Sequence, residues 1–178
     1  MRMGFDIVPK PLRHPDPGDL CLLWNRTRSF DEIALTYERA GGIVLVAENG
    51  YLGSTPDRKL FSVSLRYHNG LGEWYVGPEP REEFPLRPWR TAGDHILLLP
   101  QRGIGVRGVA MPTTWLDQVR QRLRKVTDRP IRIRRHPGAS KSDPWPDLRG
   151  AHCAVTWGSG AGIKAIAHGI PVFHELEG

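Results

Sequence analysis

The sequence contains few cysteines and no long apolar run. These two absences argue against a disulfide-stabilised protein and against a membrane-spanning one. Its 178 residues include two cysteines, Cys21 and Cys153, which fall in apolar strand-like stretches and are predicted to be buried free thiols. No stretch approaches the roughly 20 apolar residues of a membrane span, and the first residues lack the apolar core of a signal peptide. The expected compartment is the cytoplasm, with no membrane partner.

Several short motifs of well-defined chemistry are also missing. The sequence has no HExxH or CxxC metal motif, no GxSxG nucleophile elbow and no Walker A lysine. It therefore predicts no metal, no resident cofactor and no covalent nucleophile.

What the sequence does contain is an uneven distribution of charge. Residues 1–90 hold 12 Lys and Arg against 12 Asp and Glu, whereas residues 91–178 hold 13 basic and 7 acidic residues. The whole net charge of +6 thus lies in the second half. This charge predicts an anionic partner such as a nucleotide, a phosphorylated ligand or nucleic acid, and the alternative is a solvated arginine-rich helix face.

Alternating strand and helix patterns predict an α/β fold of two units, with Rossmann-like, mostly parallel sheets and helices on both faces. The predicted organisation is an extended proline-rich arm (1–19), a first unit with an irregular insertion (20–92) and a second unit (93–178). In the first unit, buried strands at 20–25 and 43–47 flank a helix over 29–40, and further strands are expected at 60–65 and 73–76. The residues expected to start and orient this helix are the capping box Ser29 and Glu32 and the inner-face residues Phe30, Ile33, Tyr37 and Ala40.

The second unit is predicted to contain strands at 95–100, 131–134, 152–156 and 170–174, with helices over 113–126 and 160–167. Thr113 or Thr114 is expected to cap the first of these helices. Its apolar stripe is predicted to be Leu116, Val119, Leu123 and Val126.

A glycine-rich turn between the last strands is the strongest candidate site. Gly158, Ser159 and Gly160 follow a predicted strand and open a helix, so backbone N–H groups and the helix dipole favour an anion there. Lys164 lies one turn into that helix and is placed to reach a phosphate or ribose. The alternatives are a tight turn without a ligand and a lysine that faces solvent.

Two more loops follow strands on the same predicted rim, where ligands of open α/β sheets bind. Arg134 and His136 end one strand, and an arginine there can hold a diphosphate while the histidine bonds a phosphate or carries a proton. Gln101, Arg102 and Gly103 follow another strand. The alternative for His136 is a surface loop in which the backbone holds the ring.

The first half offers weaker candidates. Glu48 ends the second strand and is a possible general base, although the Asn49-Gly50 pair that follows is a strong turn signal. Arg66, His68 and Trp74 are candidates to contact an acceptor, because arginine and aromatic side chains stack on bases. Core packing of Trp74 is the alternative.

The C-terminal pattern resembles the donor-binding half of GT-B glycosyltransferases, and in particular phage-encoded and polysaccharide-type members. The matching segments, over about 95–178, are the basic strand end at Arg134, His136 and Pro137, the Gly158–Gly160 turn, and Gly169-Ile170-Pro171-Val172. The helix after the turn carries Lys164, where many members carry a glutamate that binds ribose. The chain is also short for two full domains, so it is expected to be a minimal version or a homo-oligomer.

The resemblance implies transfer of a sugar from a nucleotide-sugar to a hydroxyl, with the nucleotide-sugar as co-substrate. It implies that Arg134, His136, Ser159 and Gly160 contact the diphosphate. A carboxylate of the first half, Glu48 or Asp19, is the candidate to deprotonate the acceptor hydroxyl. One acceptor that the charge permits is DNA with a hydroxymethylated base, as in phage genome modification, and a glycan is the competitor. The alternatives from other classes are a non-catalytic nucleotide- or nucleic-acid-binding module and an interaction protein that kept a degenerate transferase fold.

Overall fold

The computed structural model describes residues 8–50, 52, 57–68, 71–74, 86–103, 110–138 and 142–175, which form an α/β fold with two β-sheets. The first sheet contains β1 (Leu20–Trp24), β2 (Ile43–Asn49) and β3 (Phe61–Leu65). The second contains β4 (His95–Leu99), β5 (Ile131–Ile133), β6 (Ala151–Thr156) and β7 (Val172–His174). The helices are α1 (Arg28–Arg39), α2 (Trp115–Arg124), α3 (Trp145–Leu148) and α4 (Gly160–Ala167).

The first sheet is mixed rather than parallel throughout. β1 and β2 pair in parallel, as the strand–helix–strand pattern predicts, whereas β3 runs antiparallel to β2. Of the predicted strand at 73–76, Glu73 forms a single bridge to Leu65, and residues 75 and 76 lie outside the described residues. The helix α1 packs on one face of this sheet, and no other described helix packs there. Among the described residues, helices therefore cover only one face of this sheet, so the expectation of helices on both faces is not met here.

The helix α1 begins earlier than the capping-box pattern predicts. Its N-cap is Thr27, whose carbonyl oxygen accepts the N–H groups of Phe30 and Asp31, and Ser29 lies inside the helix. The first turn forms there because the Asp31 carboxylate is bound to the buried Arg26, Nε to Oδ1 at 2.6 Å. The helix also turns a slightly different face to the sheet than the sequence predicts, so that Phe30 is exposed and Ala34 is buried beside Tyr37.

The second sheet is parallel throughout, in the order β5-β4-β6-β7. The central strand β4 is buried at every residue. Ile96 and Leu98 pack in one cluster with α2, and Leu97 and Leu99 pack in another with α3 and α4. Helices on both faces are thus confirmed for this sheet.

Three details of the second unit differ from the sequence-based predictions. Trp115 fills the core under α2, while Val126, which the apolar spacing placed inside, follows the helix and is 78% exposed. Thr114 is the N-cap of α2 but makes no side-chain capping bond. The short helix α3 was not predicted, because Pro144 and Pro146 suggest a loop, yet proline fits the first turn of a helix.

Residues 86–90 run across the second unit and are held by backbone hydrogen bonds. The N–H groups of Arg87 and Arg90 donate to the carbonyl oxygens of Ala167 and Gly169. Gly169 has φ +72°, and a Cβ there would lie 2.1 Å from the Pro88 carbonyl oxygen, so only glycine fits. The remainder of the proline-rich stretch, residues 77–85, lies outside the described residues.

Both cysteines are buried and unpaired, as predicted. Burial raises the pKa of the Cys21 and Cys153 thiols, so both stay protonated at neutral pH. Within the ranges that the structure describes, no helix has the length and apolar character needed to cross a bilayer.

Candidate functional site

A cleft of about 690 Å³ lies between the two sheets, at the carboxyl ends of their parallel strands. One wall comes from the loops after β4, β5 and β6, and the opposite wall from the loops after β1, β2 and β3. The polar and glycine residues of the lining include Asn25, Glu48, His68, Gln101, Arg102, Arg134, Arg135, His136, Gly158, Ser159, Gly160 and Lys164. The three loops expected to converge on one rim thus meet in one cleft.

Three cationic side chains with few internal partners line the wall of the second unit. Arg102 and Arg135 are exposed and make no ion pair with any residue that the structure describes. Lys164 is 47% exposed, and its Nζ lies 4.0 Å from Asp143 Oδ1, at the limit of an ion pair. Exposed pairs of this kind are weak, so all three cations remain able to bind an anionic ligand.

Arg134, the predicted diphosphate ligand, is bound within the protein. Its guanidinium pairs with Asp147 and donates from Nη2 to Ser142 O and Oγ, both at 2.8 Å, and its side chain is only 16% exposed. These contacts fix residues 142–147 at the edge of the cleft. Its neighbour Arg135 takes the exposed position, because consecutive residues at a strand end point in opposite directions.

The His136 ring is oriented by the loop that carries it. Its Nδ1 accepts the N–H of Gly138 at 3.0 Å, which assigns the proton of the neutral ring to Nε2. Gly138 has φ +64°, a backbone conformation that glycine adopts without strain. Partial burial, followed by the charges of Arg102 and Arg134, lowers the pKa of His136. A neutral His136 therefore offers Nε2–H as a hydrogen-bond donor.

The glycine-rich turn forms the N-terminus of α4 as predicted. Ser159 is the N-cap, and its Oγ accepts the Ala161 N–H at 3.3 Å while its own N–H donates to Thr156 Oγ1 at 2.9 Å. The Gly160 N–H makes no hydrogen bond with the described residues, and Gly160 lines the cleft. Gln101 supports this turn, since its Nε2 donates to the Gly158 carbonyl oxygen at 2.9 Å.

The wall of the first unit is polar and carries Glu48 and His68. Glu48 Oε1 accepts the backbone N–H of Asn49 at 2.9 Å. His68 Nδ1 accepts the Arg26 N–H at 3.3 Å, which assigns the proton of the neutral ring to Nε2. Burial lowers the pKa of His68, and the nearby Glu48 carboxylate opposes that effect. At neutral pH this wall holds a carboxylate beside a neutral imidazole.

Asn25 is a cleft residue whose importance the sequence did not show. Its φ of +60° lies in the left-handed region, and its Oδ1 is buried without a hydrogen-bond partner among the residues described. Strained backbone and unsatisfied polar atoms are both concentrated at binding sites. The only sequence signal was its place directly after a buried strand.

Arg26 holds this wall in place from behind. Its side chain is 1% exposed and donates to Asp31, Glu38 and the Arg66 carbonyl oxygen. Burial by itself would lower the pKa of Arg26, but hydrogen bonds to Glu38 and Asp31 raise it overall. The residue joins α1 to the loop that carries His68, so it positions both Asn25 and His68.

Four predicted site residues lie outside the cleft lining. Asp19 precedes β1 at the opposite end of the strand, where its Oδ2 accepts the Asp16 N–H at 2.7 Å, so its suggested role in deprotonating an acceptor does not fit its position. Gly103 follows Arg102 with φ +68°. Arg66 is exposed and paired with Glu73 at 2.9 Å, and Trp74 is 45% exposed. Of the three predicted acceptor residues, the cleft contains only His68.

We expect the effect of the surrounding charges on the pKa of His136 to be measurable by NMR. Its titration midpoint should lie below 6.5, the ordinary histidine value, and Arg102→Ala should raise that midpoint because it removes a nearby positive charge. The unfolded state then binds more protons than the folded state, so His136 and His68 make the protein less stable as the pH falls from about 6.5 through their folded pKa values. Arg120→Ala, which removes an exposed charge from α2, is the control. A midpoint above 6.5 would contradict this account.

The described parts of the chain contain no cluster of three or more His, Cys, Asp or Glu able to hold a metal ion. The groups that the described lining offers to a ligand are cationic side chains, backbone N–H groups, the Glu48 carboxylate and the imidazoles of His68 and His136. No protein-family model and no curated protein sequence matches this chain.

Proposed function

We propose that the protein is a small GT-B-like glycosyltransferase that takes a sugar from a nucleotide-sugar and transfers it to a hydroxyl. The observation that carries the proposal is one cleft with two chemically different walls. The wall of the second unit is cationic, and the wall of the first unit holds a carboxylate and an imidazole. A transferase needs both a cationic wall and a proton-accepting wall, because the donor is an anion and the acceptor must lose a proton.

The cationic wall fits the diphosphate of the donor. Arg102, Arg135 and Lys164 supply charge, while the Gly160 N–H and the His136 Nε2–H supply donors. Negative charge grows on the leaving diphosphate as the bond to the sugar breaks. Donors fixed in place before the reaction lower the energy of that charge, which is usually the largest single contribution to catalysis.

The opposite wall fits an acceptor hydroxyl. In the proposed reaction, the acceptor oxygen bonds to the anomeric carbon, its proton passes to the Glu48 carboxylate, and the nucleoside diphosphate leaves with the electrons of the broken C–O bond. His68 lies close enough for the charge of Glu48 to affect its pKa, so it is placed to orient the same hydroxyl. The net charge of +6 permits DNA with a hydroxymethylated base as acceptor, with a glycan as the competing class. Buried free thiols fit action in the reducing cytoplasm.

Thermal shifts with UDP-, GDP-, CDP- and ADP-sugars test donor binding. A ligand present at 100 times its Kd adds about 2.7 kcal/mol to the free energy of unfolding, which is readily measured. Glu48→Gln should keep this shift and lose sugar transfer, assayed by mass spectrometry of hydroxymethylated DNA and of glycan acceptors. Asp19→Asn, at the far end of β1, is the matched control and should retain both. Absence of a shift with every nucleotide would refute the proposal.

A second candidate is a non-catalytic nucleotide- or nucleic-acid-binding module. The observation that favours it is that Glu48 Oε1 already accepts the backbone N–H of Asn49. The same contact is expected of a residue that only stabilises a turn and has no catalytic role. This candidate predicts salt-dependent binding with no transfer to any acceptor. Donor binding without turnover in the wild-type protein, on all acceptors tested, would favour it over the transferase.

A further inference from the structure

One face of the first sheet is apolar across all three strands, and none of the helices that the structure describes covers it. We call it the open face. Along each strand, alternate residues point to opposite sides, and the burial pattern of β1 follows this alternation. The residues of the open face are Leu20, Leu22, Trp24, Ile43, Leu45, Ala47, Phe61, Val63 and Leu65.

The strand register makes the open face continuous. Leu22 pairs with Leu45, which pairs in turn with Leu65 on β3, so apolar side chains follow one another across the sheet. At one end, the rings of Trp24 and Phe61 meet edge to face, with their centroids 5.7 Å apart. All nine of these residues are apolar, and the polar Asn49 lies on the same side of the sheet only at the end of β2, where it pairs with Phe61.

The exposure of these side chains is high for apolar residues. Leu22 is 62% exposed, Phe61 56%, Val63 48%, Ile43 46% and Trp24 44%. Because one aromatic side chain alone presents 150–250 Å² when fully accessible, the open face presents on the order of 500 Å². That lies in the upper half of the range of about 300–600 Å² for the largest apolar patch on typical monomers, and such a patch is often functional.

The described elements of the chain do not cover the open face. The helix α1 occupies the other side of the first sheet, against Cys21, Leu23, Val44 and Val46. The helices α2, α3 and α4 all pack on the second sheet. The helices that the structure describes therefore leave the open face without a covering layer.

We propose that a second copy of this chain supplies that layer, with the two open faces packed against each other about a two-fold axis. A stable dimer buries about 800 Å² on each partner, which the open face and a polar rim around it can provide. The charge distribution favours self-association at this face. Residues 1–90 have no net charge, whereas residues 91–178 carry the whole +6, so contact through the first unit keeps the cationic halves apart.

Light scattering coupled to size-exclusion chromatography tests the dimer. The wild-type chain should elute with twice its mass of 20.0 kDa, and Leu22→Lys should elute as a monomer because each interface then buries two like charges. Leu22 is exposed in the single chain, so the substitution leaves the monomer core intact. Val126→Lys introduces the same charge at a 78% exposed apolar residue outside the open face, and it should remain a dimer.

The melting temperature gives an independent readout that needs no variant. For a dimer it rises with protein concentration, and for a monomer it does not. A wild-type monomer at about 100 µM, where an interface of micromolar affinity is saturated, overturns the proposal. A Leu22→Lys protein that stays dimeric overturns it too, as does a melting temperature independent of concentration. None of these results bears on the transferase proposal, because no open-face residue lines the cleft.

Discussion

Replacing Arg26 with methionine should lower the free energy of unfolding by about 3 kcal/mol, because it leaves two carboxylates without their buried partner. Arg26 is bound to Asp31 and Glu38 at 2.6 Å, and its guanidinium lies 4.1 Å from the centre of the Tyr67 ring. Asp31 and Glu38 keep 23% and 27% of their side-chain surface exposed, so water partly solvates them in the variant. For that reason we expect the lower end of the usual 3–5 kcal/mol range.

Urea denaturation measures this loss, and two further variants define its cause. Arg26→Lys keeps the charge but cannot reproduce the paired bonds to both oxygens of Glu38, so it should fall between wild type and Arg26→Met. Arg39→Met, which removes an exposed arginine from the same helix, should change stability by less than about 0.5 kcal/mol. If Arg26→Met and Arg39→Met are equally stable, Arg26 does not stabilise the cleft wall of the first unit.

Removing both Arg102 and Arg135 should weaken binding of a nucleoside diphosphate about 100-fold. A hydrogen bond to a charged group contributes about 1.5–3 kcal/mol, so each arginine accounts for roughly a factor of ten where solvent screens it. The two residues follow different strands, so we expect their effects to be additive. The fold should be unaffected, because neither side chain has an ion-pair partner among the described residues.

Isothermal titration with the nucleotide that gives the largest thermal shift, and with inorganic pyrophosphate, measures this effect. Arg120→Ala on α2 removes the same charge outside the cleft and should leave affinity unchanged. Arg134→Ala should behave differently and lose stability together with affinity, because it releases Ser142 and Asp147. Full affinity in the Arg102 and Arg135 double variant would exclude the cationic wall as the binding surface.

The sequence alone was sufficient to predict the β-strands and the rim. Apolar runs of five or six residues can be recognised locally, and the carboxyl ends of parallel strands lie at one edge of a sheet in any such topology. The loops at Arg102, His136 and Ser159 were therefore expected to meet, and the structure brings them to one cleft, which the loop at Glu48 also lines. Composition likewise predicted that the cationic wall would belong to the second unit.

The tertiary structure decided which charges are used inside the protein and which face the cleft. Arg134 and Arg135 are neighbours of the same type, but Asp147 binds only the first of them, 13 residues along the chain. Arg26 finds its backbone partner at Arg66, 40 residues away. The open face is apolar in the sequence as well, yet only the tertiary structure shows that the described helices all pack elsewhere. Local periodicity encodes strands and helices, whereas the partner of a charge or of a sheet face depends on contacts between distant segments, which no local pattern specifies.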